Sequence, residues 1–167
     1  MNKNLASVSL RWGSLIAAVQ ILSHLLLIYV FVNTQLTIKQ AVEIATLLIT
    51  LFLIYLAIHD YKQRCQEDKT FTLLQAFVAA LFACLVFALL FTIYFFILIQ
   101  CIDPDFLHNK IIAAQKIQNN APAITPISYL TNYINSYLIF QLTAALFMAA
   151  VMQRKIKIKD PNDKAEK

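Results

Sequence analysis

Four long apolar runs, separated by short polar clusters, set the pattern of this chain. From Thr70 to Ile102, 33 residues pass without an Asp, Glu, Lys or Arg. A helix through that run would be about 50 Å long, well beyond the roughly 30 Å hydrocarbon core of a bilayer. The run therefore predicts a membrane span that projects from the core at one end. Companion helices are predicted at about 10–32, 38–59 and 127–152. Together they predict an all-α fold, a polytopic bundle of four transmembrane helices.

In the first run, Gly13, Ala17, Gln20 and His24 recur at spacings of four, three and four. That rhythm puts small and polar side chains on one helical face, the face expected to point inward. In the third run, Ala76, Ala80, Cys84 and Ala88 recur every four residues and predict a ridge that a neighbouring helix can approach closely. Phe87, Phe91 and Phe95, with Tyr94 and Phe96, make the far end of the same helix aromatic, consistent with an interface belt or a buried seam. The start of the fourth helix is polar through Asn132, Asn135 and Ser136, and its centre carries Gln141.

Capping chemistry marks several ends. Thr37 with Gln40, and Thr72 with Gln75, have capping-box spacing. Asp103, Pro104 and Asp105 read as an exterior cap motif, with Asp103 as N-cap and Pro104 as the first helical residue. A short amphipathic helix over about 104–118 then lies at the interface, with Phe106, Leu107 and Ile111 on its apolar side and His108 and Lys110 opposite. Paired asparagines and two prolines within 119–126 end it.

Composition agrees with the pattern. The chain of 167 residues is 60% hydrophobic and 14% charged, with a mean hydropathy of +0.66, far from a soluble domain. The bilayer domain is expected over 1–153, and a basic cytoplasmic tail without regular structure over 154–167. The start, with Lys3 and Arg11 ahead of the first run, is read as a retained span rather than a signal peptide, because the run is long and no small-residue cleavage motif follows. On a four-span topology one side carries eleven basic residues and the other only Lys39, Lys110 and Lys116. The excess predicts that both termini are cytoplasmic. Lys62, Arg64, Lys69, Arg154 and Lys155 are then candidate headgroup contacts, and membrane lipids rather than nucleic acid are the expected partners of the net charge of +5.

Two junctions carry a resemblance. The stretch HDYKQRCQEDKTFTLLQAF from His59 to Phe77, with Arg64, Phe71, Ala76 and Phe77, is one, and IDPDFLHNK from Ile102 to Lys110, after a helix end containing Tyr94, is the other. They resemble an uncharacterised family of small four-helix membrane proteins, a domain of unknown function found mainly in Bacteroidetes. The resemblance implies a bacterial inner-membrane protein and supplies no activity or catalytic residue.

Candidate chemistry is sparse. Gln20, His24, Asn135 and Gln141 are the intramembrane polar candidates, His24 foremost because ionisable groups within a bilayer are costly. Its structural alternative is a neutral imidazole hydrogen-bonded to Asn135, Gln141, a backbone carbonyl or another helix. His59, Asp60 and His108 fall on opposite sides and cannot share a metal, and the three scattered cysteines form no disulfide framework. No cofactor, metal or catalytic set is predicted. The leading functional reading is a noncatalytic scaffold or accessory subunit, working as a homo-oligomer or with another membrane protein. A small transporter or channel-forming oligomer comes second, and a membrane enzyme last.

Overall fold

The structure is a computed structural model and describes residues 3–65, 71–117 and 125–152. It is all-α: α1 (Lys3–Val30), α2 (Leu36–Arg64), α3 (Leu73–Ile102), the short α4 (Phe106–Ile117) and α5 (Pro126–Met152). Four of these, α1, α2, α3 and α5, are long and apolar enough to cross a membrane, so the chain is a multi-pass membrane protein. The short α4 sits between the third and fourth spans.

The most hydrophobic span, α3, is also the most deeply covered, and α1, α2 and α5 all pack against it. Its small residues make that possible. Ala76, Ala79, Ala80, Ala83 and Cys84 are fully buried, and Ala88 is half-buried. Facing them is Gly13, the chain's only glycine, where a Cβ would lie 2.6 Å from the Ala83 carbonyl oxygen and 2.6 Å from Val86 Cβ. The bare Cα of Gly13 thus lets α1 press on the backbone of α3. The predicted inward face of α1 is the buried one, with Gly13, Ala17, Gln20 and His24 all enclosed.

The ends repeat some expectations and revise others. Thr72 caps α3: the Gln75 N–H donates to Thr72 Oγ1 at 3.2 Å, and the Thr72 N–H donates to Gln75 Oε1 at 2.9 Å. At α2 the helix opens at Leu36 behind Gln35, which makes no side-chain cap bond, so Thr37 is already helical and forms no capping box. The first helix starts at Lys3 rather than near residue 10, because Leu5 and Val8 bury their side chains in the bundle.

Likewise α2 runs on to Arg64, past the expected end near His59. Its last turn is held by a knot around Asp60: Trp12 Nε1 donates to Oδ2 at 2.9 Å, and Arg64 Nε donates to Oδ1 at 2.9 Å. Arg11 adds a longer ion pair at 3.9 Å. Lys62 Nζ donates to the Met152 carbonyl at 2.7 Å, placing a cation at the last described turn of α5. Lys62 and Arg64 therefore tie helix ends together at this end of the bundle. Lys69, Arg154 and Lys155 lie outside the described residues, as do Thr70, residues 119–124 and the expected tail over 154–167.

At the opposite end both α1 and α3 close in a wider π turn, Leu26–Val30 and Leu98–Ile102. The Phe31 N–H donates to the Leu26 carbonyl at 2.8 Å, and the Asp103 N–H donates to the Leu98 carbonyl at 2.7 Å. Such turns frequently mark functional sites.

Candidate functional site

Beneath the two π turns lies His24, 4% exposed and the meeting point of four helices. Its Nδ1 is 2.9 Å from the Tyr94 hydroxyl of α3, and its Nε2 is 3.4 Å from the Tyr129 hydroxyl of α5. A neutral imidazole donates through one nitrogen and accepts through the other, so the two hydroxyls take opposite roles. Around it stand the rings of Phe91, Tyr94, Phe106, Tyr129 and Tyr133, with centroids 5.2 to 6.5 Å away. Phe91 stacks on Tyr133 at 4.6 Å, and Phe95 on Tyr129 at 5.4 Å. Phe106, the first residue of α4, is buried in this cluster, so α4 is anchored into the bundle rather than only lying on the interface.

Helical spacing explains the assembly. Phe91 and Phe95 are one turn apart on α3, Tyr129, Tyr133 and Tyr137 recur every four residues on α5, and each set presents one face. Below His24 the polar face of α1 continues. The Ser23 hydroxyl accepts from Thr46 Oγ1 at 2.7 Å, and Gln20 Nε2 donates to Thr50 Oγ1 at 3.1 Å. Gln20 Oε1 and both amide atoms of the buried Gln141 lack partners among the described residues. Asn135 takes a different position from the other candidates: it is exposed on α5 and is not a partner of His24.

Above the cluster, the Asp103–Pro104–Asp105 motif forms the turn before α4. The Tyr29 hydroxyl donates to Asp103 Oδ2 at 3.4 Å, and the Phe106 N–H donates to the Asp103 carbonyl at 3.1 Å. Helix α4 opens at Phe106, so Pro104 precedes the helix rather than starting it, and the Asp103 side chain is turned toward α1. Nearby Lys110 lies 5.5 Å from the Phe106 ring. Desolvation, then the Lys39 charge, draws its ammonium below the ordinary lysine range.

Beside the cluster a groove of about 890 Å³ opens between α2 and α5. Tyr129 and Tyr133 form both its wall and the screen in front of His24. Glu43 and Leu47 line it from α2, and Asn132, Ser136 and Phe140 from α5. Among the described residues no group of three His, Cys, Asp or Glu could hold a metal ion, and Cys65, Cys84 and Cys101 are free thiols.

With this geometry in hand, a comparison with protein families gives a match over residues 11–154 to DUF4199, described as a protein of unknown function. The chain belongs to the DUF4199 family. The matched region takes in the DUF4199 bundle from Arg11 onward, including His24, its tyrosines and the groove. No curated protein and no solved structure matches the chain.

Sequence reasoning found His24 and the aromatic end of α3 but missed the partners on α5 and the groove acid Glu43. The four-residue spacing of Tyr129, Tyr133 and Tyr137 was the available signal. Glu43 carried none, because next to Lys39 it reads as half of an ordinary helix-surface pair.

Proposed function

We propose that this DUF4199 protein is a noncatalytic accessory or scaffold subunit of a bacterial inner membrane, pairing with another membrane protein through the exposed side of α5. The observation that carries this reading is Asn135. It is exposed, nine residues into the span that is both the least hydrophobic and the least covered by its own bundle. An exposed side-chain amide in lipid favours a helix neighbour that can hydrogen-bond to it. Ile139, one turn farther, is 68% exposed and supplies apolar contact.

The filled core supports the same reading over transport by a single copy, since Phe87, Phe91 and Phe95 are fully buried along the central helix. Both termini are assigned to the cytoplasm, with residues 154–167 as a basic tail there. An even number of spans and the eleven-to-three distribution of basic residues support that orientation. Cysteine-free protein carrying Lys110→Cys or Asp160→Cys checks it: position 110 should label from outside and position 160 only after permeabilisation.

The accessory role is tested with a photoreactive amino acid at position 139 in cells. A cross-link to one other membrane protein, co-purifying stoichiometrically in mild detergent and lost in Asn135→Leu, is expected. Cross-linking only to a second copy, shown by two differently tagged chains, would overturn the accessory role in favour of a homo-oligomer. Absence of any protein adduct would overturn both.

A further inference from the structure

We propose that the α2–α5 groove is a site for one phospholipid whose headgroup carries an ammonium group, held through Glu43. This goes beyond the pairing role of α5, because Asn135 does not line the groove.

The charge comes first. Glu43 is exposed into the groove and makes no hydrogen bond or ion pair among the described residues. Its natural partner would be Lys39, one turn earlier on α2. That lysine is turned away: its Nζ donates to the Val32 carbonyl at 2.8 Å, on the side of a second, smaller cavity. Among the described residues the groove lining therefore holds one negative group and no cation. Across from Glu43 stand Tyr133 and Tyr137, ring centroids 4.8 Å apart. A carboxylate beside aromatic rings suits an ammonium group, which donates a charge-assisted hydrogen bond to the first and rests on the faces of the second.

Length and polarity then fix the kind of molecule. On α5 the lining runs from Ser128 through Asn132 to Phe140, and on α2 from Glu43 to Leu47. On both helices the lining residue farthest into the span, Leu47 or Phe140, is apolar, while on α5 polar groups continue through Tyr133, Ser136 and Tyr137. Twelve residues of helix between Ser128 and Phe140 cover roughly 18 Å, against about 15 Å for half of the hydrocarbon core. The groove thus has about the depth of one leaflet and closes on apolar residues beyond the level of Glu43, which suits a single lipid. A transmembrane helix would need an apolar channel of about twice that length. The lipid's amine sits against Glu43, and one acyl chain lies along Leu47 and Phe140.

The test uses the full-length chain, delipidated and titrated with phosphatidylethanolamine, phosphatidylglycerol or N-acylated phosphatidylethanolamine, with bound lipid counted by native mass spectrometry. One phosphatidylethanolamine per chain should be retained, and the two lipids without an ammonium group should be held about tenfold more weakly. Glu43→Gln should erase that preference. Ser136→Trp, at an exposed position facing the groove, should abolish retention while circular dichroism stays unchanged, and Leu47→Trp serves the same purpose if Ser136→Trp does not fold. Equal retention of all three lipids by the native chain would overturn the proposal. So would an unaltered preference in Glu43→Gln, retention that survives the tryptophan, or a spectrum in which a second copy of the chain takes the lipid's place.

Discussion

Replacing Gly13 with alanine sets two known effects against each other. In an unconstrained helix the change is favourable by about 1 kcal/mol, because alanine loses less backbone freedom. Here the new Cβ would meet the Ala83 carbonyl oxygen at 2.6 Å and Val86 at 2.6 and 2.8 Å. Contact normally begins near 3.5 Å, so α1 must retreat by roughly 0.9 Å. Neither obstacle can swing aside, since one is helix backbone and the other begins at a Cβ. Overpacking of this kind costs about 1–3 kcal/mol. The retreat also opens the contact along Ala79, Ala80 and Ala83, where a gap of about 0.5–1 Å forfeits roughly a quarter to a half of each attraction. The second effect wins, with a net destabilisation of about 1–2 kcal/mol. The assay is denaturation by SDS in mixed micelles, followed by fluorescence of Trp12, the chain's only tryptophan, whose indole bonds to Asp60 across the α1–α2 contact. Leu22→Ala, at an exposed position on the same helix, controls for composition and should leave the midpoint unchanged. A Gly13→Ala midpoint equal to or above the native one would refute the close approach of α1 to α3.

Other expectations can be read in the same assay. His24→Phe keeps a ring in the aromatic cluster but strips the Tyr94 hydroxyl of its 2.9 Å partner, for a loss of about 1–3 kcal/mol. Adding Tyr94→Phe should restore part of that loss, and strict additivity of the two changes would show that the hydrogen bond contributes nothing. Gln141→Leu should raise the midpoint, since it removes two buried amide atoms that have no partner among the described residues, and a lower midpoint would mean the amide is bonded. Ala80→Trp, on the fully buried ridge of α3, should abolish recovery of monodisperse protein, and normal recovery would place that ridge in lipid instead.

The architecture was legible because a membrane span depends on a sum over some twenty residues, which local detail barely disturbs. Four runs gave four spans, and the four-residue rhythm of Ala76, Ala80 and Cys84 gave the buried face of α3. Helix ends were less legible. Thr72 caps α3 as its spacing with Gln75 predicts, whereas the same spacing at Thr37 and Gln40 caps nothing, because tertiary contacts let α2 begin at Leu36. The site was half legible for a different reason. Composition picks out His24 as costly in lipid, but its partners come from residues 70 and 105 positions away, and no periodicity within one helix reveals which neighbour a face will meet.

What connects the legible half to the illegible one is register. The parallel helices α1 and α3 touch where Gly13 meets Ala83 and Val86, and again where His24 meets Tyr94. The sequence offset is 70 at Ala83 and again 70 at Tyr94, so the two contacts belong to one alignment of two rigid rods. Sliding α1 by a single turn would move both by about 5.4 Å, driving the Gly13 gap away from Ala83 and pulling the imidazole from its hydroxyl. The glycine admits close approach but tolerates several positions along an alanine ridge. The histidine is selective, because the Tyr94 hydroxyl of α3 meets it while the Thr92 hydroxyl is bonded to the Ala88 carbonyl, and at that same level Tyr129 of α5 reaches its other nitrogen. The small-residue contact therefore supplies closeness and His24 supplies position. That division explains structurally why a buried polar residue stands in the middle of an aromatic cluster that apolar packing alone could have filled.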